Sequence, residues 1–233
     1  CCLGLATGSS PVGMYQELAR RCREEGLDFS KVSTVNLDEY IGLEPSHQQS
    51  YRYFMDSNLF DHINIDKANT YVAKGTGDID ANIAEFRTVI AKSEVELQVL
   101  GVGADGHLAF NEPGTSLYWS AHKETLDEST ISANARFFAN RDEVPRYAIT
   151  MGIGEIMMAK RLLMILSGAN KEEAARLLYA VVDTLCSLDQ VEAVHLLVEG
   201  ESLDRYGGVP TRNPLEKDYE MAGEEKPAAA SGS

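Results

Sequence analysis

Short apolar runs alternate with amphipathic helical stretches along most of the 233-residue chain, and this alternation limits the folds that it can adopt. The predicted strands are "LGLATG", "VSTVNLDEY", "NTYVAKG", "VELQVLGVG", "RYAITMG", "RLLMILSG" and "AVHLLVEG". Predicted helices such as "SSPVGMYQELARRCREEG" and "DIDANIAEFRTVIAK" lie between them. Strands that alternate with helices predict an α/β fold, a three-layer αβα sandwich with a mostly parallel, Rossmann-like sheet.

Three polar segments follow predicted strands, namely "ATGSSP", "NLDEY" and "GADGHLAFNEPG". In sheets of this kind, ligands bind beyond the carboxyl ends of the strands. The three segments come from distant parts of the chain but are expected at the same edge of the sheet. Their convergence predicts a binding site at that edge.

The segment "ATGSSP" is predicted to be a glycine-containing turn that leads into a helix, with Ser10 as the cap and Pro11 at the first helical position. The unpaired N–H groups and the dipole of a helix N-terminus favour an anion. Thr7 and Ser9 add hydroxyl groups. Phosphate binding and ordinary turn formation both remain open from these residues alone.

The other two segments carry candidate acid–base groups. Asp38 directly follows an apolar run, so partial burial would raise its pKa and suit it to proton abstraction, whereas Glu39 would be structural. Asp105, His107 and Glu112 could form a unit in which carboxylates orient an imidazole. Solvated loop residues are the alternative in both cases. We expect no metal, because this set lacks a further ligand.

The charge and the apolar content exclude several classes of partner. A net charge of −15 argues against a nucleic-acid partner, because such proteins usually carry a basic stripe. No run reaches the roughly 18 apolar residues of a membrane span, and "CCLGLATG" lacks the features of a secretory signal. We therefore expect a cytoplasmic protein without a membrane partner, whose scattered cysteines are free thiols.

The combined motifs resemble the glucosamine-6-phosphate deaminase (isomerising) family, and they run in family order over residues 3 to 171. The resemblance is carried by "LGLATGSSPVGMY", "VNLDEYIGL", "SYRYFM", "NLFDHINI", "GVGADGHLAFNEPGTS" and "SANARFF". The related 6-phosphogluconolactonases share the fold and a similar glycine-rich turn, but they lack the glutamate of "FNEP". The resemblance implies a cofactor-independent reaction of amino-sugar catabolism, in which glucosamine 6-phosphate and water give fructose 6-phosphate and ammonia.

The resemblance also implies roles for individual residues. His107 would assist ring opening, oriented by Asp105 and Glu112, and Asp38 would move a proton between C2 and C1 of the sugar. The substrate phosphate would be bound by Thr7, Gly8, Ser9, Ser10, Arg136 and Lys171. Segment 115–145 would be the family's mobile lid.

Several departures from the family lead to further expectations. The family has another strand and helix before "LGLATG", which we expect this chain to lack. Residues 1–206 are predicted to form a single α/β domain and residues 207–233 a flexible tail, while the region after residue 180 is divergent. Ser120, His122 and Glu124 stand where regulated members carry activator-binding basic residues, so we predict no such activation.

The oligomeric state stays open, with a homo-oligomer among the alternatives. Two other functions also compete with the deaminase. One is a non-catalytic sugar-phosphate-binding homologue, and the other is a 6-phosphogluconolactonase-like hydrolase.

Overall fold

The structure, a computed structural model, describes residues 1–101, 107–111, 115–116 and 118–165, together with residues 205–206 and 209–210. Within these ranges no helix is long and apolar enough to cross a membrane. Asp105, Glu112 and Lys171 lie outside the described residues, as do the helix predicted at "KEEAARLLYAVV" and the strand predicted at "AVHLLVEG".

The described elements follow the predicted alternation. In chain order they are β1 (Cys2–Leu5), α1 (Val12–Glu25), β2 (Ser33–Asn36), β3 (Asp38–Tyr40), α2 (Tyr51–Asn58), β4 (Thr70–Tyr71), α3 (Ile79–Lys92), β5 (Val95–Gly101), β6 (His122–Thr125), α4 (Glu128–Asn134), β7 (Tyr147–Thr150), α5 (Ile153–Ile156) and β8 (Leu162–Ile165). Short 3₁₀ helices lie at Phe60–His62, Lys67–Asn69, Ala135–Phe137 and Arg141–Glu143.

Five strands form a parallel sheet in the order β4-β2-β1-β5-β8. Helices cover both of its faces, as strand β4 demonstrates. Successive residues of a strand point to opposite faces. Arg52 of α2 donates to the hydroxyl of Thr70 (2.8 Å), and Phe86 of α3 stacks on Tyr71 with ring centroids 5.7 Å apart. Helices α2 and α3 therefore lie on opposite faces, which confirms the predicted α/β sandwich.

The run "VSTVNLDEY" does not end in a polar segment after one strand, as predicted, but forms two strands that divide at Leu37. The Leu37 N–H donates to the carbonyl of Leu5 in the parallel sheet (3.2 Å), while its own carbonyl accepts from the Met151 N–H (2.7 Å). Beyond this point β3 joins a second, antiparallel sheet in the order β3-β7-β6, in which Asp38 pairs with Thr150. Leu37 thus transfers the chain from one sheet to the other.

Helix α1 buries the apolar face that its sequence period predicts, with Tyr15 and Ala19 in the core. The helix begins at Val12 with Pro11 at the N-cap, one residue later than predicted. It ends at Gly26, as predicted, where a φ of 74° allows the left-handed turn that closes the helix.

The chain divides into two compact units, one comprising residues 1–103 and 107–165 and the other comprising residues 104–106 and 166–233. In the second unit, strand β9 (Arg205–Tyr206) pairs antiparallel with β10 (Val209–Pro210). The two paired strands lie on either side of the domain boundary that is predicted after residue 206. The single domain over residues 1–206 and the flexible tail after it remain predictions.

Candidate active site

A cavity of about 300 Å³ lies in the first unit and brings together separate parts of the chain. It is lined by Gly8, Ser9, Tyr40, Gln48, Gln49, Ser50, Tyr51, Phe54, Asn134, Phe137 and Phe138. The turn after β1, the end of β3 and the segment around Arg136 thus meet at one place. A cavity of this size can hold a small polar molecule.

The turn between β1 and α1 forms one wall of this cavity. Gly8 has a φ of 92°, a value that residues with a side chain rarely adopt. Helix α1 has neither a side-chain cap nor an acidic residue in its first turn. Because the N-terminus of a helix carries a partial positive charge, this wall can attract an anion.

Asp38 begins strand β3 and is buried, with 6% of its surface exposed. Burial raises its pKa well above the ordinary value, and the nearby charge of Glu39 raises it further. The sequence predicted this effect of burial. A carboxyl group with a raised pKa is a stronger base once ionised than an ordinary aspartate, so Asp38 is suited to proton transfer near neutral pH.

Glu39 points away from solvent and binds the beginning of α2. Its carboxylate accepts hydrogen bonds from the backbone N–H groups of Tyr40 (2.8 Å), Tyr51 (2.9 Å) and Arg52 (3.0 Å). Burial raises the pKa of Glu39 to about 7, while these three donors act in the opposite direction. The structural role predicted for this residue is confirmed.

Two tyrosines that sequence reasoning did not select connect these acids to the cavity. The ring centroids of Tyr40 and Tyr51 lie 5.0 Å apart. Burial is the main cause that raises the pKa of Tyr40 to about 12, and the charge of Asp38 adds to it. Tyr40 follows Asp38 by two positions, and the strand period could have placed both on one face.

Residues 107–111 form a tight turn that is attached to β7. Leu108 and Asn111 pair across the turn, and Ala109 between them has a φ of 55°. The Asn111 side-chain N–H group donates to the carbonyls of Met151 (2.8 Å) and Leu108 (3.0 Å). Sequence reasoning overlooked Asn111, because its partner Met151 lies far along the chain.

This turn lies close to the strand that carries Asp38. The Phe110 N–H donates to the hydroxyl of Thr150 (3.2 Å), and Thr150 is the register partner of Asp38. The Phe110 ring stacks on Tyr51 with centroids 5.9 Å apart. Leu108 and Phe110 are buried. The half-buried His107 begins this turn.

Arg136 lies beside the cavity in an exposed position. It belongs to the 3₁₀ helix Ala135–Phe137, and its guanidinium carbon is 4.7 Å from the ring centroid of Phe137. Its neighbours Asn134 and Phe137 line the cavity, whereas the Arg136 side chain does not. Among the described residues, no group of His, Cys, Asp and Glu could hold a metal ion.

The segment predicted to lack an activator site has its polar groups paired with one another. The His122 ring contacts Glu124 Oε2 through Nε2 (3.1 Å) and the Ser120 carbonyl through Nδ1 (2.8 Å). The absence of activation remains a prediction.

Comparison with known proteins gives consistent results. The profile of a family described as glucosamine-6-phosphate isomerases/6-phosphogluconolactonase matches residues 1–195. A glucosamine-6-phosphate deaminase of Clostridium perfringens is 53% identical over 182 residues, which are 75% of this chain and 73% of that protein. Another, from Thermoanaerobacter pseudethanolicus, is 50% identical over 176 residues, covering 75% of this chain and 70% of that protein. The solved structure of a monomeric glucosamine-6-phosphate deaminase matches with 41% identity and a TM-score of 0.74, over 77% of this chain and 75% of that one.

Proposed function

Because the chain belongs to the family of glucosamine-6-phosphate isomerases and 6-phosphogluconolactonases, we propose that it converts D-glucosamine 6-phosphate and water to D-fructose 6-phosphate and ammonia. One observation carries this proposal beyond the family match. The cavity that is lined by Gly8 and Ser9 is also lined by Tyr40, which shares strand β3 with the buried base candidate Asp38. An anion-attracting wall and a proton-transfer group therefore belong to one site.

The substrate phosphate binds at the N-terminus of α1 in this proposal. Backbone N–H groups and the hydroxyls of Thr7, Ser9 and Ser10 surround the anion. Arg136 reaches the phosphate by a rotation of its exposed side chain, and Lys171 supplies a second cation. These contacts explain how a chain with a net charge of −15 retains a negatively charged sugar.

The chemistry begins with opening of the pyranose ring, in which His107 transfers the proton between O1 and O5 while Asp105 and Glu112 orient its imidazole. Ionised Asp38 then removes the proton from C2 of the open-chain sugar and returns it to C1, while one proton of the C2 ammonium group is transferred to O1. This isomerisation leaves a protonated imine at C2. Water adds to C2 and ammonia leaves, which gives the ketone of fructose 6-phosphate.

The raised pKa of Asp38 has a consequence for the pH dependence of this reaction. Asp38 must be ionised to remove a proton, so the rate falls as the pH drops through its raised pKa. The acidic limb of the profile therefore lies well above the pH at which an ordinary aspartate titrates.

A coupled assay on the 233-residue chain tests the proposed function. Ammonia and fructose 6-phosphate are expected in equal amounts from glucosamine 6-phosphate, with no hydrolysis of 6-phosphogluconolactone. Binding of glucosamine 6-phosphate without turnover would instead indicate a sugar-phosphate-binding homologue. Hydrolysis of the lactone alone would indicate a lactonase, and either result would refute the proposal.

A further inference from the structure

We propose that Glu39 is a positioning residue that fixes Tyr51, at the start of α2, against the strand carrying Asp38. This inference rests on the proposed function, in which Asp38 is the base. It assigns to Glu39 a task in the reaction in addition to its contribution to folding.

The hydrogen bonds of Glu39 join two elements that border the cavity. Oε1 accepts from the backbone N–H groups of Tyr40 in β3 (2.8 Å) and Tyr51 in α2 (2.9 Å). Oε2 accepts from the Arg52 N–H (3.0 Å). One buried carboxylate therefore holds the strand of the base and the first turn of the helix in a fixed relation.

Capping of α2 alone does not explain why a carboxylate is present. Ser50 already caps this helix, because its hydroxyl accepts from the Tyr53 N–H at 3.0 Å. Glu39 instead satisfies the two preceding N–H groups, and it does so from a different element of the chain. It also places a second acid directly beside Asp38. Burial is the main cause that raises the pKa of Asp38 and of Tyr51, and the charge of Glu39 raises both further.

Tyr51, which Glu39 holds at the start of α2, lines the cavity. It does so together with Tyr40, and the ring centroids of the two tyrosines lie 5.0 Å apart. Burial raises the pKa of both tyrosine hydroxyls, and the charge of Asp38 raises it further. A displacement of α2 would therefore alter the cavity wall and the surroundings of the base at the same time.

Within the part of the chain that the structure describes, strand β3 and helix α2 carry charged and titratable groups around Asp38 and Glu39. Strand β3 contributes Asp38 and Tyr40, and α2 contributes Tyr51 and Arg52. The Arg52 guanidinium is directed to Asp56, with nitrogen–oxygen distances of 3.0 and 3.1 Å. The residues of β7 opposite β3 are Thr150, Ile149 and Ala148, none of which is charged.

Two substitutions distinguish the effect of the charge of Glu39 from the effect of its side-chain length. Glu39→Gln keeps the length of the side chain but removes the charge, and its amide nitrogen cannot accept a hydrogen bond. Glu39→Asp keeps the charge but is one methylene shorter, so it cannot span from β3 to α2. Glu44→Gln is the matched control, because Glu44 is exposed.

The experiment measures kcat and KM from pH 5 to 9 for these variants, with urea unfolding of each. For Glu39→Gln we expect the acidic limb of kcat/KM to move to lower pH, because the charge of Glu39 raises the pKa of Asp38 in addition to the effect of burial. For Glu39→Asp we expect an unmoved limb and a kcat about tenfold or more below that of the wild type. Glu44→Gln should match the wild type in all respects.

The inference is overturned if Glu39→Gln retains the wild-type limb and kcat, or if both Glu39 variants fail to fold, since Glu39 would then serve stability alone. Failure of the proposed function gives a different result. In that case the wild-type chain itself releases no ammonia from glucosamine 6-phosphate.

Discussion

Replacement of Asn111 by alanine tests whether its amide fixes the turn at residues 107–111. The Asn111 side chain is 1% exposed and donates to the carbonyls of Met151 (2.8 Å) and Leu108 (3.0 Å). A third contact, to the Thr150 hydroxyl at 3.4 Å, is long and contributes little. The substitution Asn111→Ala removes all three contacts and adds none.

The expected loss of stability follows from the partners that each carbonyl retains. The Leu108 carbonyl keeps its hydrogen bond from the Asn111 backbone N–H (2.9 Å). The loss there is about 1 kcal/mol. Among the described residues, the Met151 carbonyl then keeps the Thr150 hydroxyl at 3.3 Å, so the loss there is about 1–2 kcal/mol. The free energy of unfolding should fall by about 2–3 kcal/mol in total, which lowers Tm by roughly 4–12 °C in a chain of this length.

Urea unfolding and differential scanning calorimetry measure this effect, and ammonia release measures its consequence for the reaction. Because the turn begins at His107, we expect kcat to fall about tenfold or more. Asn58→Ala is the control, since it removes one half-buried bond to the Phe54 carbonyl (2.8 Å) but improves helix propensity. A change of less than about 0.5 kcal/mol in Asn111→Ala, with an unchanged kcat, would refute the reasoning.

Four further predictions concern the backbone and the phosphate. Gly13→Ala should stabilise α1 by about 0.5–1 kcal/mol in urea unfolding, because an added Cβ meets no atom within 4 Å. Gly75→Ala should destabilise the chain by about 3 kcal/mol or more, because its Cβ would overlap a backbone carbonyl of β3; equal stability of the two variants would contradict this. Gly8→Ala should raise KM at least fivefold by straining the turn, at a cost of about 1–2 kcal/mol, and an unchanged KM would exclude a role in binding. Arg136→Ala should raise KM about tenfold or more, whereas Arg23→Ala should not; equal effects would remove Arg136 from the phosphate site.

Local patterns in the sequence were sufficient to predict much of the parallel sheet. The period of Tyr15 and Ala19 identified the buried face of α1, and Gly26 marked its end. The burial of Asp38 could also be predicted, because it follows an apolar run and belongs to a strand. These predictions succeeded because the features depend on neighbouring residues of the chain.

Features that depend on distant partners could not be predicted in this way. The strand divides at Leu37 because Met151 supplies a hydrogen-bond donor from far along the sequence. The polar sequence of β6 gave no strand signal, and this strand forms by pairing with β7. A structural role was predicted for Glu39, but its partners could not be predicted, because only the position of α2 supplies the N–H groups of Tyr51 and Arg52.

The most direct test of the proposed reaction is the rate of ammonia and fructose 6-phosphate formation by Asp38→Asn, with glucosamine 6-phosphate binding measured separately by calorimetry. Asparagine has nearly the same shape as aspartate but cannot accept the C2 proton. We therefore expect the rate to fall by about 10³-fold or more while binding stays within about threefold of the wild type. A rate within tenfold of the wild type would contradict the assignment of Asp38 as the base.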